Sequence, residues 1–146
     1  MKNFFFIFSF AFILLGSYLY LKFDFNKDKK LTDTNAPLAC DLNVKDCIFN
    51  FKDKKIRIFL NPKPLQAMQE LDLKIENLDF YENLSLKIYG LNMFMGEIKP
   101  RLIYKNSHYE AKILLSACTL DTMRYRAQFF KDDKPLSFHF DFELRR

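Results

Sequence analysis

Leu91-Asn-Met-Phe-Met-Gly96 sets two thioethers, Met93 and Met95, two residues apart. In an extended segment that spacing points both sulfurs to the same side. Further along, Ser116-Ala-Cys-Thr-Leu-Asp-Thr-Met123 adds a thiol, Cys118, where one expected strand ends, and a thioether, Met123, where the next begins across a short turn. Thiolate and thioether are soft donors that select Cu(I) over zinc, calcium or magnesium. The competing reading needs no metal, because methionine also fills irregular gaps in cores, and a strand-borne Met93 or Met123 would then be packing alone.

Other chemistries find little support. The only glycines are Gly16, Gly90 and Gly96, so there is no Gly-rich phosphate cradle. His108 and His139 belong to no zinc-ligand spacing and read as solvated. Asp132 and Asp133 sit in a turn ahead of Pro135 and read as loop carboxylates rather than an acid/base pair, and the sequon Asn83-Leu-Ser85 reads as accidental. We expect no enzyme. A net charge of +5 is interleaved along the chain rather than gathered into a basic stripe, which argues against nucleic acid.

The donors need strands to position them. After Cys47 the apolar residues recur with period two: Leu71, Leu73, Ile75; Leu84, Leu86, Ile88; Ala111, Ile113, Leu115; Met123, Tyr125, Ala127, Phe129; and Leu136, Phe138, Phe140, Phe142, Leu144. In the last of these, Ser137, His139, Asp141 and Glu143 should face water. Turn signals at Asn61-Pro-Lys-Pro64, 77–83, Lys105-Asn-Ser107 and 131–135 separate the runs. With a strand in Ile48 to Leu60 and another from Glu97 to Tyr104, about seven strands fill the C-terminal part, which suits an all-β, immunoglobulin-like antiparallel β-sandwich. A small closed barrel is the alternative. One helical turn is expected over Pro64 to Glu70, with Leu65 and Met68 pointing inward. The strand from Glu97 leads away from the Met93/Met95 loop, and the strand from Tyr109 could return Cys118 to it.

The N-terminus bounds the compartment. Phe4 to Leu21 is an uncharged, Phe-rich run of eighteen residues ending at Lys22; as a helix it spans roughly 27 Å, close to a bilayer's hydrocarbon thickness. A cleaved signal peptide is the rival, but Gly16 and Ser17 follow bulky Leu14 and Leu15, so an uncleaved anchor is expected. Lys22, Lys27, Lys29 and Lys30 alone would keep the body cytoplasmic; the short N-terminus, Asp24, Asp28 and the cysteines favour export. The domains are then an anchor over 1–23, a polar flexible linker over 24–38 and one β-domain over 39–146. Cys40, Cys47 and Cys118 permit three single pairings, each leaving one thiol over. A small Cys40–Cys47 loop fits an oxidising compartment; three reduced, buried thiols fit a cytoplasmic one.

The stretch Leu91-Asn-Met-Phe-Met-Gly-Glu-Ile-Lys-Pro-Arg-Leu, with Tyr109-Glu-Ala-Lys-Ile-Leu-Leu-Ser-Ala-Cys, Met123-Arg-Tyr-Arg-Ala, Cys40-Asp-Leu42 and Cys47, resembles small membrane-anchored proteobacterial proteins similar in plan to FixH and YtkA-like domains. Those are associated with copper handling and cytochrome oxidase assembly. The resemblance implies Met93, Met95, Cys118 and Met123 as Cu(I) ligands and Cys40 with Cys47 as the structural pair. Tyr125 stands where related chains carry Trp, and no copper-motif His flanks the pair. The expectation is therefore a single-pass inner-membrane protein with its domain in the periplasm. Its partner would be an oxidase assembly factor or copper chaperone, and the alternative is a metal-free interaction or scaffold domain for a membrane complex.

Overall fold

A computed structural model of the chain describes residue 17 and residues 36–145. The anchor expected over 1–23, Ser17 apart, and nearly all of the linker expected over 24–38 lie outside the described residues; among the described residues no helix is long and apolar enough to cross a membrane. The chain divides into two units, Met1–Lys30 and Leu31–Arg146, and the fold that follows is that of the second.

Over 36–145 the described residues form nine strands and no helix: β1 (Cys47–Phe51), β2 (Lys54–Asn61), β3 (Glu70–Glu76), β4 (Leu84–Gly90), β5 (Glu97–Ile98), β6 (Ile103–Lys105), β7 (His108–Leu114), β8 (Thr122–Lys131) and β9 (Lys134–Arg145). They build two antiparallel sheets, ordered β1-β2-β3-β7-β6 and β5-β4-β8-β9, rather than one closed barrel. The alternation in the sequence decides which faces meet. Ile56, Ile58, Leu60, Leu71, Leu73 and Ile75 of the first sheet are buried in one cluster with Leu86, Ile88, Ala127, Phe129, Phe140 and Phe142 of the second. Rings stitch the layers together, with Phe49 on Phe140 at 5.9 Å and Phe51 on Phe138 at 5.0 Å between centroids. Each fully buried Phe contributes about 1.5–3 kcal/mol. The arrangement is sandwich-like.

Three expectations change. Ile48 to Leu60 is two strands, because Lys52 takes φ 52° and turns the chain between them. Glu97 to Tyr104 also divides: β5 pairs with β4 in one sheet and β6 with β7 in the other. Pro100, which has no N–H to give a ladder, lies in the crossing between them. The helical turn over Pro64 to Glu70 does not form. The amides that a helix would need are taken from outside, Leu65 N–H by Asn43 Oδ1 at 3.1 Å and Met68 N–H by Leu115 O at 2.9 Å. Leu65 is buried as expected, whereas Met68 is 68% exposed and has φ 60°.

Two-residue turns close the β6–β7 and β8–β9 hairpins. Asn106 and Ser107 in the first, Asp132 and Asp133 in the second, all have positive φ, as a type I′ turn requires. One outward residue of β9 departs from the alternation. Glu143 is buried, because Arg124 opposite it on β8 is buried too and binds it through Nε at 3.1 Å and through Nη2. Arg145 Nη2 holds the other carboxylate oxygen at 3.1 Å. His108 is also less solvated than expected, with Nε2 at 2.6 Å from Glu110 Oε1.

Candidate metal centre

The loop that leaves β4 is sewn to the start of β8. Leu91 N–H donates to Arg124 O at 2.8 Å. Asn92 then uses its side chain as a further rung of the ladder: Nδ2 donates to Thr122 O at 2.8 Å and Oδ1 accepts Arg124 N–H at 3.0 Å. Gly90 makes the close approach possible. A Cβ there would lie 2.1 Å from Met93 O and 2.2 Å from Met123 Cε, so only glycine lets the returning loop and the methionine tip share that space. At Gly96 the reason is different, since φ 82° is a conformation side chains disfavour.

This sewing brings Met93 beside the segment that follows β7. The Cys118 thiol donates to Met93 Sδ at 3.4 Å, and Leu120 N–H points at the same Sγ from 3.5 Å. Cys118 is half-buried and unpaired. Two sulfurs bound to one metal at about 2.3 Å each, with bond angles near 110–120°, stand about 3.8–4.0 Å apart. A few tenths of an ångström of opening would therefore admit an ion between Met93 and Cys118.

Cys118 and Met123 both line a pocket of about 660 Å³, whose other walls come from Asn43, Val44, Pro64, Leu65, Gln66, Ala67, Leu144 and Arg145. Met123 is 1% exposed and forms part of the core as well as the pocket wall. Met95 is half-buried against the core and does not line the pocket. Of the four sulfurs, then, Met93 touches Cys118, Met123 shares a pocket wall with Cys118, and Met95 stands in neither relationship.

Tyr125 lies beneath, buried and stacked on Phe142 at 5.5 Å, with Oη 3.5 Å from Ser116 O. Burial is the main cause pushing its phenol up, and the neighbouring Cys118 pushes the same way.

Behind one wall, Cys40 and Cys47 form a disulfide with Cα atoms 5.9 Å apart. The loop it closes is pinned at Asn43, whose Nδ2 donates to Glu143 O at 2.8 Å and whose N–H donates to Asp41 Oδ1 at 2.9 Å. Asp41 in turn pairs with Arg145 Nη1 at 2.9 Å.

Asn92, Gly90 and the two wall segments at 43–44 and 64–67 are parts of this site that spacing alone did not single out. A polar residue and a glycine directly before Met93, at the end of an alternating run, were the available signal.

A second concavity of about 610 Å³ lies on the outer face of the five-stranded sheet, among Phe59, Lys74, Arg101, Ile103 and Glu110. It holds no sulfur, and Lys74 there is neutralised by Glu76 at 2.8 Å. Among the described residues no group of three or more His, Cys, Asp or Glu side chains could hold a metal ion.

Comparison with protein-family models, with curated proteins and with solved structures finds no match to this chain.

Proposed function

We propose that this chain is a membrane-anchored protein whose immunoglobulin-like domain, exported to the periplasm, binds Cu(I) and passes it to or takes it from a partner by ligand exchange. The observation that carries the reading is the 3.4 Å contact between Cys118 Sγ and Met93 Sδ, two soft donors from loops twenty-five residues apart. Met123, a third sulfur-bearing residue, lines a pocket together with Cys118. A Cys/Met donor set suits a monovalent copper ion, and thioethers need no deprotonation and release readily. The Cys40–Cys47 disulfide supports an oxidising compartment, the apolar run Phe4 to Leu21 supports an anchor, and the resemblance to FixH and YtkA-like domains supports cytochrome oxidase assembly as the setting.

Competition for Cu(I) between the full chain in detergent and a coloured chelator tests this. One tight equivalent should bind, and Cys118→Ser and Met93→Leu should each abolish it. Wild-type protein that leaves the chelator fully loaded ends the copper reading.

One observation favours a metal-free scaffold that docks a membrane complex: Met123 is enclosed, with its methyl group against Gly90. Under that reading Met123→Leu and Cys118→Ser leave partner capture intact.

A further inference from the structure

We infer that the concavity on the outer face of the five-stranded sheet binds a small monocarboxylate with a compact apolar body, its head held by Arg101 and its body lying between Phe59 and Ile103. The site stands apart from the sulfurs and is independent of the Cu(I) reading.

Register places the walls. Phe59 pairs with Lys74, Lys74 with Glu110 and Glu110 with Ile103, so one row of outward positions crosses β2, β3, β7 and β6 with an apolar residue at each end. Neighbouring strands lie about 4.8 Å apart, which puts roughly 14 Å between the backbones at the two ends of the row. Alternation calls for polar residues on a wetted face. Phe59 is nevertheless half-buried there and Ile103 leaves 52% of its surface in water, and neither belongs to the core.

The charged side chains between these walls part from one another. Lys74 reaches Glu76 at 2.8 Å and Glu110 reaches His108 at 2.6 Å, both toward one end of the strands, while Lys112 in the next row reaches Glu70 toward the other end. A cleft of about 610 Å³ opens where they separate, a size typical of small-molecule sites. Leu73 and Ala111, paired across the β3–β7 ladder, line it although both belong to the core, so its floor is their main chain.

Charge selects the occupant. Lys74, Lys112, Asp72, Glu76 and Glu110 all line the cleft and all have partners. Among the described residues Arg101 is the charged group of the lining with no ion pair, and it is exposed. A guanidinium grips a carboxylate through two parallel hydrogen bonds. The three acids of the lining oppose a second negative charge, which favours a monocarboxylate over a phosphate. An extended peptide would need free main-chain groups to pair with. The floor has none to give, because β3 is paired with β2 on one side and with β7 on the other.

The test is fluorine NMR of a fluorinated phenylpropionate titrated with the full chain in lipid nanodiscs, with empty nanodiscs subtracted and octanoate as competitor. One saturable site, emptied by octanoate, is the expected result. The neutral amide of the probe should bind about tenfold more weakly, and Arg101→Gln should weaken the acid about tenfold while leaving the amide unchanged. Ile103→Ser should weaken acid and amide alike, because it removes apolar wall and no charge. Both substituted residues are exposed, and urea midpoints equal to the parent's separate lost binding from lost folding. Absence of saturable binding, or equal affinity for acid and amide, overturns the site. An Arg101→Gln variant that keeps its affinity for the acid overturns the role of the guanidinium. A short peptide ending in Phe with a free carboxylate, if it binds more tightly than the probe, overturns the small acid as occupant.

Discussion

Asn92 clasps Met123 from both sides: its amide nitrogen takes Thr122 O at 2.8 Å, its amide oxygen takes Arg124 N–H at 3.0 Å, and Met123 is the residue between. The same Asn92 is joined to Met93. One side chain therefore sets the distance between the thioether that meets Cys118 and the thioether in the pocket wall.

Asn92→Leu should for that reason weaken the site more than the fold. Two part-buried hydrogen bonds are lost, about 1–3 kcal/mol in all, read as a lower urea midpoint. Under the proposed Cu(I) reading, affinity should also fall by at least about tenfold, equivalent to 1.4 kcal/mol. Asn92→Asp keeps the acceptor for Arg124 N–H and loses the donor to Thr122 O, and should fall between the two.

Gly90→Ala should destabilise by about 1–3 kcal/mol through overpacking. Its added methyl meets two obstacles, Met123 Cε and the backbone oxygen of Met93. Shortening the first with Met123→Ala should recover only part of the loss, because the carbonyl cannot retreat without releasing Asn92. Full recovery of thermal stability in the double variant would contradict the geometry.

The buried pair Arg124–Glu143 predicts an asymmetry. Glu143→Ala strands a guanidinium in the interior and should cost about 3–5 kcal/mol, whereas Arg124→Met with Glu143→Leu should come close to the parent stability. Denaturant unfolding of the two variants beside the parent decides it.

Asp41 links acidity to the disulfide loop. Partial burial is the largest influence on its carboxyl and pushes it up, but the hydrogen bonds from Asn43 and the charge and hydrogen bond of Arg145 together outweigh that and hold it below its ordinary 3.8. A carboxylate depressed by folding stabilises fully above the unfolded value, and that stability is lost as pH falls through the folded value. Stability should decline below about pH 4, and Asp41→Asn should flatten that limb while lowering the plateau above it. An identical acid limb in the variant would remove Asp41 from the account.

Much of the fold could be read from alternation alone. Phe138, Phe140, Phe142 and Leu144 are buried where period two put them, and so are Leu71, Leu73 and Ile75. What escaped was whatever alternation does not encode. The turn at Lys52 carries no Gly or Asn, so β1 and β2 looked continuous. Sheet membership changes between Ile98 and Ile103 with no change of pattern, and Pro100 was its one trace. Glu143 looked wet because an ion pair that desolvates both partners leaves no mark in a hydropathy pattern. At the site, residue type picked out the sulfurs, but the Asn92 clasp and the absent Cβ of Gly90 depend on what lies across the gap.

The pocket wall around Cys118 draws on four stretches far apart in the chain, near residues 43, 65, 118 and 144. A nascent or denatured polypeptide thus displays its thiol and thioethers one at a time, with nothing to gather them. Given the proposed Cu(I) site, only a finished domain gathers its donors, and an ion held in the cleft would also guard the chain against unravelling.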